Sequence, residues 1–105
     1  MNILKNSTEI NNISNLINQN IELFNSFTNI YLFGSILNIE KIPNDIDILL
    51  IYPEYSNIII NDLNIIYSVF VNQSGLPIDL TVLSVEEEKN TKFLKRLNLK
   101  YLKLK

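Results

Sequence analysis

The chain predicts an α/β (α+β) fold in the order α-β-α-β-α-β-α, on two observations. Short runs of β-branched and aromatic residues, stopped by Gly or Pro, alternate with longer stretches whose apolar residues recur every three or four positions. At 105 residues, 12.2 kDa and 47% hydrophobic composition, the chain can build one packed core and has no room for a second. Residues 1–105 are therefore read as a single domain.

In residues 7–27, Ile10, Ile13, Leu16, Ile17, Ile21 and Phe24 follow the period of an amphipathic helix. Ser7 suits its N-cap and Glu9 its first turn. Ile30, Tyr31, Leu32 and Phe33 then read as a short buried strand stopped by Gly34. Residues 36–41 have length for one or two helical turns. A second strand, 46–52, lies between Pro43-Asn44 and Pro53. Residues 57–73 place Ile58, Ile59, Leu63, Ile66, Val69 and Phe70 on one broad face of a largely buried helix, and Ser74-Gly75-Leu76-Pro77 is turn chemistry. Residues 78–83 form a third strand. Ser84 followed by Glu86, Glu87 and Glu88 opens a last helix, with acidic residues at its positive end. The alternation from Leu97 to Tyr101 leaves a further strand open there.

Composition removes several chemistries. The chain has no Cys and no His, which excludes disulfides, thiolate nucleophiles, zinc-thiolate sites and imidazole bases or ligands. Carboxylates, hydroxyls, Lys and Arg remain, so any metal would be a hard, oxygen-bound cation. The longest apolar runs fall far short of the ~20 residues of a membrane span. No secretory signal follows Met1, and a cytoplasmic location is expected. A net charge of −2 and a pI near 5.0 argue against nucleic acid binding over the whole surface. Positive charge nevertheless gathers between residues 89 and 105, in Lys89, Lys92, Lys95, Arg96, Lys100, Lys103 and Lys105. That segment is either a solvated helix face or a contact surface for phosphate-rich or acidic partners, nucleic acid included.

The Asp residues are unusually placed. The chain has four, Asp45, Asp47, Asp62 and Asp79, and all but Asp62 sit in or at the start of apolar strands. Asp45 and Asp47 bracket Ile46, so in a strand both carboxylates point to one face. Asp79, between Ile78 and Leu80, adds a third from another strand. Unpaired carboxylates in such positions cost several kcal/mol and repel one another, and cations relieve both penalties. A divalent metal site held by Asp45, Asp47 and Asp79 follows. Taken separately, each Asp has an ordinary alternative: Asp45 capping a strand, Asp47 pairing with a Lys, Asp79 bonding a turn.

Upstream, Gly34 lets a backbone approach a phosphate without a side chain in the way, and the Ser35 hydroxyl can donate to its oxygens. The ordered combination of Phe33-Gly34-Ser35, a nine-residue gap, Asp45-Ile46-Asp47-Ile48 and a later strand Asp79 resembles the polymerase-β-like nucleotidyltransferase superfamily, in particular its minimal members. The resemblance implies a small mixed β-sheet flanked by helices, with two Mg²⁺ ions (Mn²⁺ as a substitute) on Asp45 and Asp47. It further implies a catalytic role for Asp79 in deprotonating an acceptor hydroxyl, and a triphosphate gripped by Gly34 and Ser35. The Arg that small members carry after Gly-Ser is missing here, and Lys41 is the nearest point charge that could replace it.

The resemblance implies transfer of a nucleoside monophosphate, AMP from ATP or the equivalent from another NTP, to a hydroxyl. No acceptor-binding domain fits in the chain, so the acceptor is expected on a partner, as in minimal nucleotidyltransferase antitoxins acting on a HEPN-type toxin, or on a second copy of the chain. A non-catalytic module of the same fold acting by contact is the alternative, as is a subunit that modifies a small molecule or RNA. Asp45, Asp47 and Asp79 are expected to converge on one open sheet face with Gly34-Ser35 at its rim, and Asp62 is expected on the exposed side of its helix.

Overall fold

A computed structural model describes residues 2–38 and 45–105. Its four strands form one sheet in the order β3-β2-β1-β4. Strand β1 (Asn29–Phe33) runs antiparallel to both β2 (Ile46–Tyr52) and β4 (Tyr101–Lys103), whereas β2 runs parallel to β3 (Ile78–Ser84). A parallel pair needs a crossover, and helix α2 (Asn57–Ser74) supplies it. That helix ends at Gly75, whose φ of +73° permits a left-handed cap in which its N–H donates to the Val71 carbonyl at 3.3 Å. The architecture is the mixed α+β sheet flanked by helices that the sequence predicts.

The first helix differs from expectation at both ends. Helix α1 spans Asn2–Gln19, so Ser7 lies inside it and is not its N-cap. At Asn20 the backbone leaves the helix (φ −114°, ψ 25°), and the Asn20 amide donates back to the Leu16 carbonyl at 2.8 Å. Such local side-chain bonds compete with helix continuation, which is why apolar periodicity alone overran the end. A 3₁₀ turn, Ile21–Phe24, redirects the chain and buries Phe24 and Phe27.

The last helix is interrupted rather than continuous. Helix α3 (Val85–Thr91) begins with a capping box: the Glu87 N–H donates to Ser84 Oγ at 2.9 Å, and the Ser84 N–H donates to the Glu87 carboxylate at 2.8 Å. Lys92 then adopts a left-handed φ of +54° before the short α4 (Phe93–Arg96). The Glu88 carboxylate accepts the Leu94 N–H at 3.1 Å, satisfying a donor at the new start. Two more left-handed residues, Asn98 (φ +52°) and Leu99 (φ +64°), swing the chain back to the sheet as β4. The strand left open at 97–101 thus forms at the end of that stretch and beyond it. Lys105 is withdrawn from the basic surface, its ammonium donating to the Phe24 and Phe27 carbonyls at 3.0 and 2.7 Å.

Strand alternation separates two faces. Ile30, Leu32, Ile46, Ile48, Leu50 and Ile78 point toward α1, α2 and the 3₁₀ turn, forming the main core with Ile13, Ile17, Phe24, Ile66 and Phe70. Tyr31, Leu49 and Ile51 point the other way into a smaller cluster, against which Phe33, Leu83, Phe93, Leu94 and Tyr101 pack. Among the described residues no helix is long and apolar enough to cross a membrane.

Candidate metal and nucleotide site

Pairing register builds the site. Asp79 on β3 stands directly beside Asp47 on β2, Asp47 beside Phe33 on β1, and Phe33 beside Tyr101 on β4. Residues in one row share a sheet face, so two carboxylates and two aromatic rings cross the whole sheet side by side. Asp45 lies two positions before Asp47, just ahead of β2, and the Ile46 N–H donates to the Pro77 carbonyl at 2.9 Å, which fixes the start of β2 against β3. Asp45, Asp47 and Asp79 each offer a carboxylate oxygen within 4.8 Å of the others; Asp45 and Asp47 are half-buried and Asp79 is exposed.

This crowding has an electrostatic signature. Burial, then the negative charges of Asp45 and Asp79 and a hydrogen bond with the Asp79 carboxyl, push the Asp47 carboxyl up from its ordinary 3.8 to about 6. Without a cation the cluster therefore retains a proton more readily than an ordinary carboxylate group. Three convergent hard oxygen donors fit a divalent cation such as Mg²⁺ or Mn²⁺, and binding it would displace that proton.

Gly34 follows Phe33 and therefore lies over Asp47. Its φ is +82°, a conformation that side chains rarely adopt, and an added Cβ would collide with the Asp47 carboxylate, 2.9 Å from its Cγ. Glycine is thus favoured twice at this position. Residues Gly34–Leu37 form a 3₁₀ turn that stops at extended Asn38, so the short helix expected at 36–41 is displaced toward Gly34, and residues 39–41 of that expectation lie outside the described residues. Ser35 is half-buried, and its Oγ is shielded from solvent with no hydrogen-bond partner among the described residues. Lys41, the suggested phosphate cation, lies outside the described residues.

Beside this turn opens a cleft of about 820 Å³, lined from the β1 side by Phe33, Gly34, Ser35 and Leu37 and from the α4–β4 side by Arg96, Leu99, Lys100 and Tyr101. Sequence reasoning missed this second wall. The alternation from Leu97 to Tyr101 was the available signal, because a returning edge strand beside β1 carries Arg96 and Lys100 to the Gly34-Ser35 turn. Asp62 also departs from expectation: it is half-buried, and its carboxylate accepts the Ser26 hydroxyl at 2.7 Å, tying α2 to the segment after the first 3₁₀ turn.

No protein-family model matches the sequence, and no curated protein matches it. In three dimensions the chain is similar to the crystal structure of a "putative nucleotidyltransferase from Sulfolobus solfataricus", with a TM-score of 0.57 over 98% of this chain and 86% of that one, at 17% identity. What the two chains share at that identity is a fold, and the fold of this chain is nucleotidyltransferase-like.

Proposed function

We propose that the chain is a metal-dependent nucleotidyltransferase that moves a nucleoside monophosphate, AMP from ATP, onto a hydroxyl acceptor carried by a partner protein. The observation that carries this reading is the convergence of the Asp45, Asp47 and Asp79 carboxylates within 4.8 Å beside a glycine at which any side chain would run into Asp47. In the proposed reaction the acceptor oxygen forms a bond to the α-phosphorus of the triphosphate. The bond from that phosphorus to the oxygen bridging to the β-phosphate breaks, pyrophosphate leaves, and the acceptor proton passes to a carboxylate, for which exposed Asp79 is the accessible choice. Asp45, Asp47 and Asp79 would hold Mg²⁺, two ions in the reading adopted here. Bound divalent cations in such a site supply activation of the attacking hydroxyl and neutralisation of charge on the departing pyrophosphate.

Gly34 serves this reading by leaving room above Asp47, and the row of Phe33 and Tyr101 beside the carboxylates gives the site an apolar flank. The partner, for which a HEPN-type toxin is the specific candidate, positions the acceptor, since orientation supplies much of the rate in transfer of this kind. The contact-only alternative draws support from Tyr55, Ile58, Ile60 and Tyr67, large apolar side chains at and along α2 that are each about half exposed or more. Coexpression with the neighbouring gene product, followed by intact-mass measurement with and without ATP and Mg²⁺, separates the two. A gain of one nucleoside monophosphate on the partner, absent with Asp47→Asn, is expected; a stable complex with no mass gain under any metal condition would sink the enzymatic reading.

A further inference from the structure

We propose that the α4–β4 segment is the second wall of the phosphate site, and that Arg96 and Lys100 hold the polyphosphate tail of the nucleotide from across the cleft. The inference rests on the nucleotidyltransferase reading for the identity of the anion, and on the structure for the residues.

The cleft has two unlike walls. On the sheet side, Gly34 presents bare backbone, and Ser35 holds a hydroxyl shielded from solvent and unsatisfied among the described residues. Such an orphan is costly, and a ligand oxygen that accepted its proton, reached by a small shift of the turn, would relieve it. From the α4–β4 side come Arg96 and Lys100, and among the described residues lining the cleft none is acidic. An acidic chain that concentrates positive charge at the mouth of one cleft, opposite unmatched donor capacity, has built a place for an anion.

Position and support agree with that assignment. Gly34 lines the cleft and also abuts the Asp47 carboxylate, so the cleft adjoins the carboxylate cluster. Arg96 is not a free surface arginine, because its guanidinium lies over the Phe93 ring at 5.6 Å, and Phe93 packs edge-on against Phe33 at 5.5 Å. The left-handed pair Asn98 and Leu99 then turns the backbone so that Lys100 joins the same wall. Left-handed φ at a Leu is costly, and such strain persists where the surrounding structure enforces it. A bidentate guanidinium and a point-charge ammonium together supply what the segment after Gly34-Ser35 lacks.

The test uses the whole chain and inorganic tripolyphosphate, followed by calorimetric titration once with Mg²⁺ and once with EDTA. Arg96→Gln combined with Lys100→Gln is expected to weaken tripolyphosphate binding about tenfold in both arms, the order expected for losing charge-assisted hydrogen bonds. Lys89→Gln with Lys95→Gln, basic residues of the same segment outside the cleft, should leave it within about twofold by the same reasoning. Asp47→Asn should weaken only the Mg²⁺ arm. Arg96→Lys, which keeps the charge and loses the fork, should fall between and guards against a folding defect in the double variant. Tripolyphosphate binding unchanged in the Arg96/Lys100 variant, binding lost equally in the Lys89/Lys95 control, or no binding to the wild-type chain in either arm would overturn the inference. If nucleotide transfer to a partner nonetheless proceeds, the enzymatic reading stands without this wall; tripolyphosphate bound through Arg96 and Lys100 with no transfer would leave the wall standing without the enzyme.

Discussion

The two faces of the sheet are made from the same strands and differ in almost everything else. Toward α1 and α2, the strands present Ile and Leu side chains that are almost entirely buried, closed by Phe24 and Phe70 packed edge-on at 5.7 Å. Toward α3 and α4, the cover reaches only part of the sheet: Tyr31, Leu49 and Ile51 are buried, while the next row, Asp79, Asp47, Phe33 and Tyr101, is left half-covered or open. The first face holds the chain together and the second tolerates clustered charge because it is not sealed. A carboxylate triad is thus affordable only where the core is already secured from the other side.

The sharpest way to test that division is to damage each face in turn. Phe70 is fully buried in the first face, and Phe70→Ala should cost about 3–5 kcal/mol, a large part of the stability of a domain this size. Denaturant unfolding should show it as a fall in midpoint with little change in slope. A cost under about 1 kcal/mol would mean that this face is not the principal source of stability.

Gly34→Ala is the corresponding lesion on the second face. The added Cβ meets the Asp47 carboxylate and must adopt a φ of +82°, so a loss of roughly 1–3 kcal/mol is expected. The more telling effect is functional. Asp47 must move, so the rise in thermal midpoint that Mg²⁺ or Mn²⁺ gives the wild-type chain should disappear in a variant that remains folded. Retention of the full metal-induced rise would show that Gly34 does not shape the cluster.

The same contrast explains what could be read from sequence. The main core was legible because its residues recur at helix and strand periods, and β2, α2 and β3 lie where the periodicity and the Gly and Pro punctuation put them. Helix α2 is nevertheless less buried than expected: Ile58, read on its core face, is exposed, and Ile59, Ile66 and Phe70 make the buried contact. The triad was legible because Asp45, Asp47 and Asp79 are misplaced charges in apolar strands. What stayed hidden depends on backbone events that periodicity does not encode: the Asn20 side chain ending α1, the left-handed turn at Lys92 splitting the last helix, and the double left-handed step at Asn98 and Leu99. None of the left-handed residues among them, Lys92, Asn98 and Leu99, is Gly, so the usual marker of such a turn was missing. The second wall of the cleft was lost with them, because Arg96 and Lys100 reach Gly34 only after those turns.

Asp47 itself sharpens the comparison, since removing its charge should stabilise the face that it makes functional. Its carboxyl binds a proton more tightly in the folded chain (about 6) than in the unfolded chain (ordinary value 3.8). Folding is therefore favoured while Asp47 is protonated, fully below the ordinary value, and that benefit is lost as pH rises through about 6. Above that pH, the ionised group costs metal-free protein roughly 1–2 kcal/mol once solvent screening of this half-exposed site is allowed for. Asp47→Asn should remove this step, leaving the metal-free variant more stable than wild type above pH 6 and little different below the ordinary carboxylate range. Mg²⁺ should reverse the order by stabilising only the wild type. Thermal unfolding in EDTA and in Mg²⁺ on either side of pH 6 reads all of this, and a wild-type chain that is more stable than Asp47→Asn in EDTA at neutral pH would contradict it.

The smallest effect belongs to the one Asp outside the cluster. Asp62 sits on the covered side of the molecule, half-buried, and accepts a 2.7 Å hydrogen bond from Ser26 that ties α2 to the segment preceding β1. Asn in its place keeps an acceptor oxygen of the same reach and gives up only the charge-assisted part of one bond. Asp62→Asn should therefore shift stability by no more than about 1 kcal/mol and leave metal-induced stabilisation and nucleotide transfer untouched. Asp62→Ala, which orphans the Ser26 hydroxyl, should cost more in stability and still nothing in metal response. A loss of metal response in either variant would mean that the two faces are coupled through α2, and the separation between the stabilising face and the chemical face would have to be abandoned.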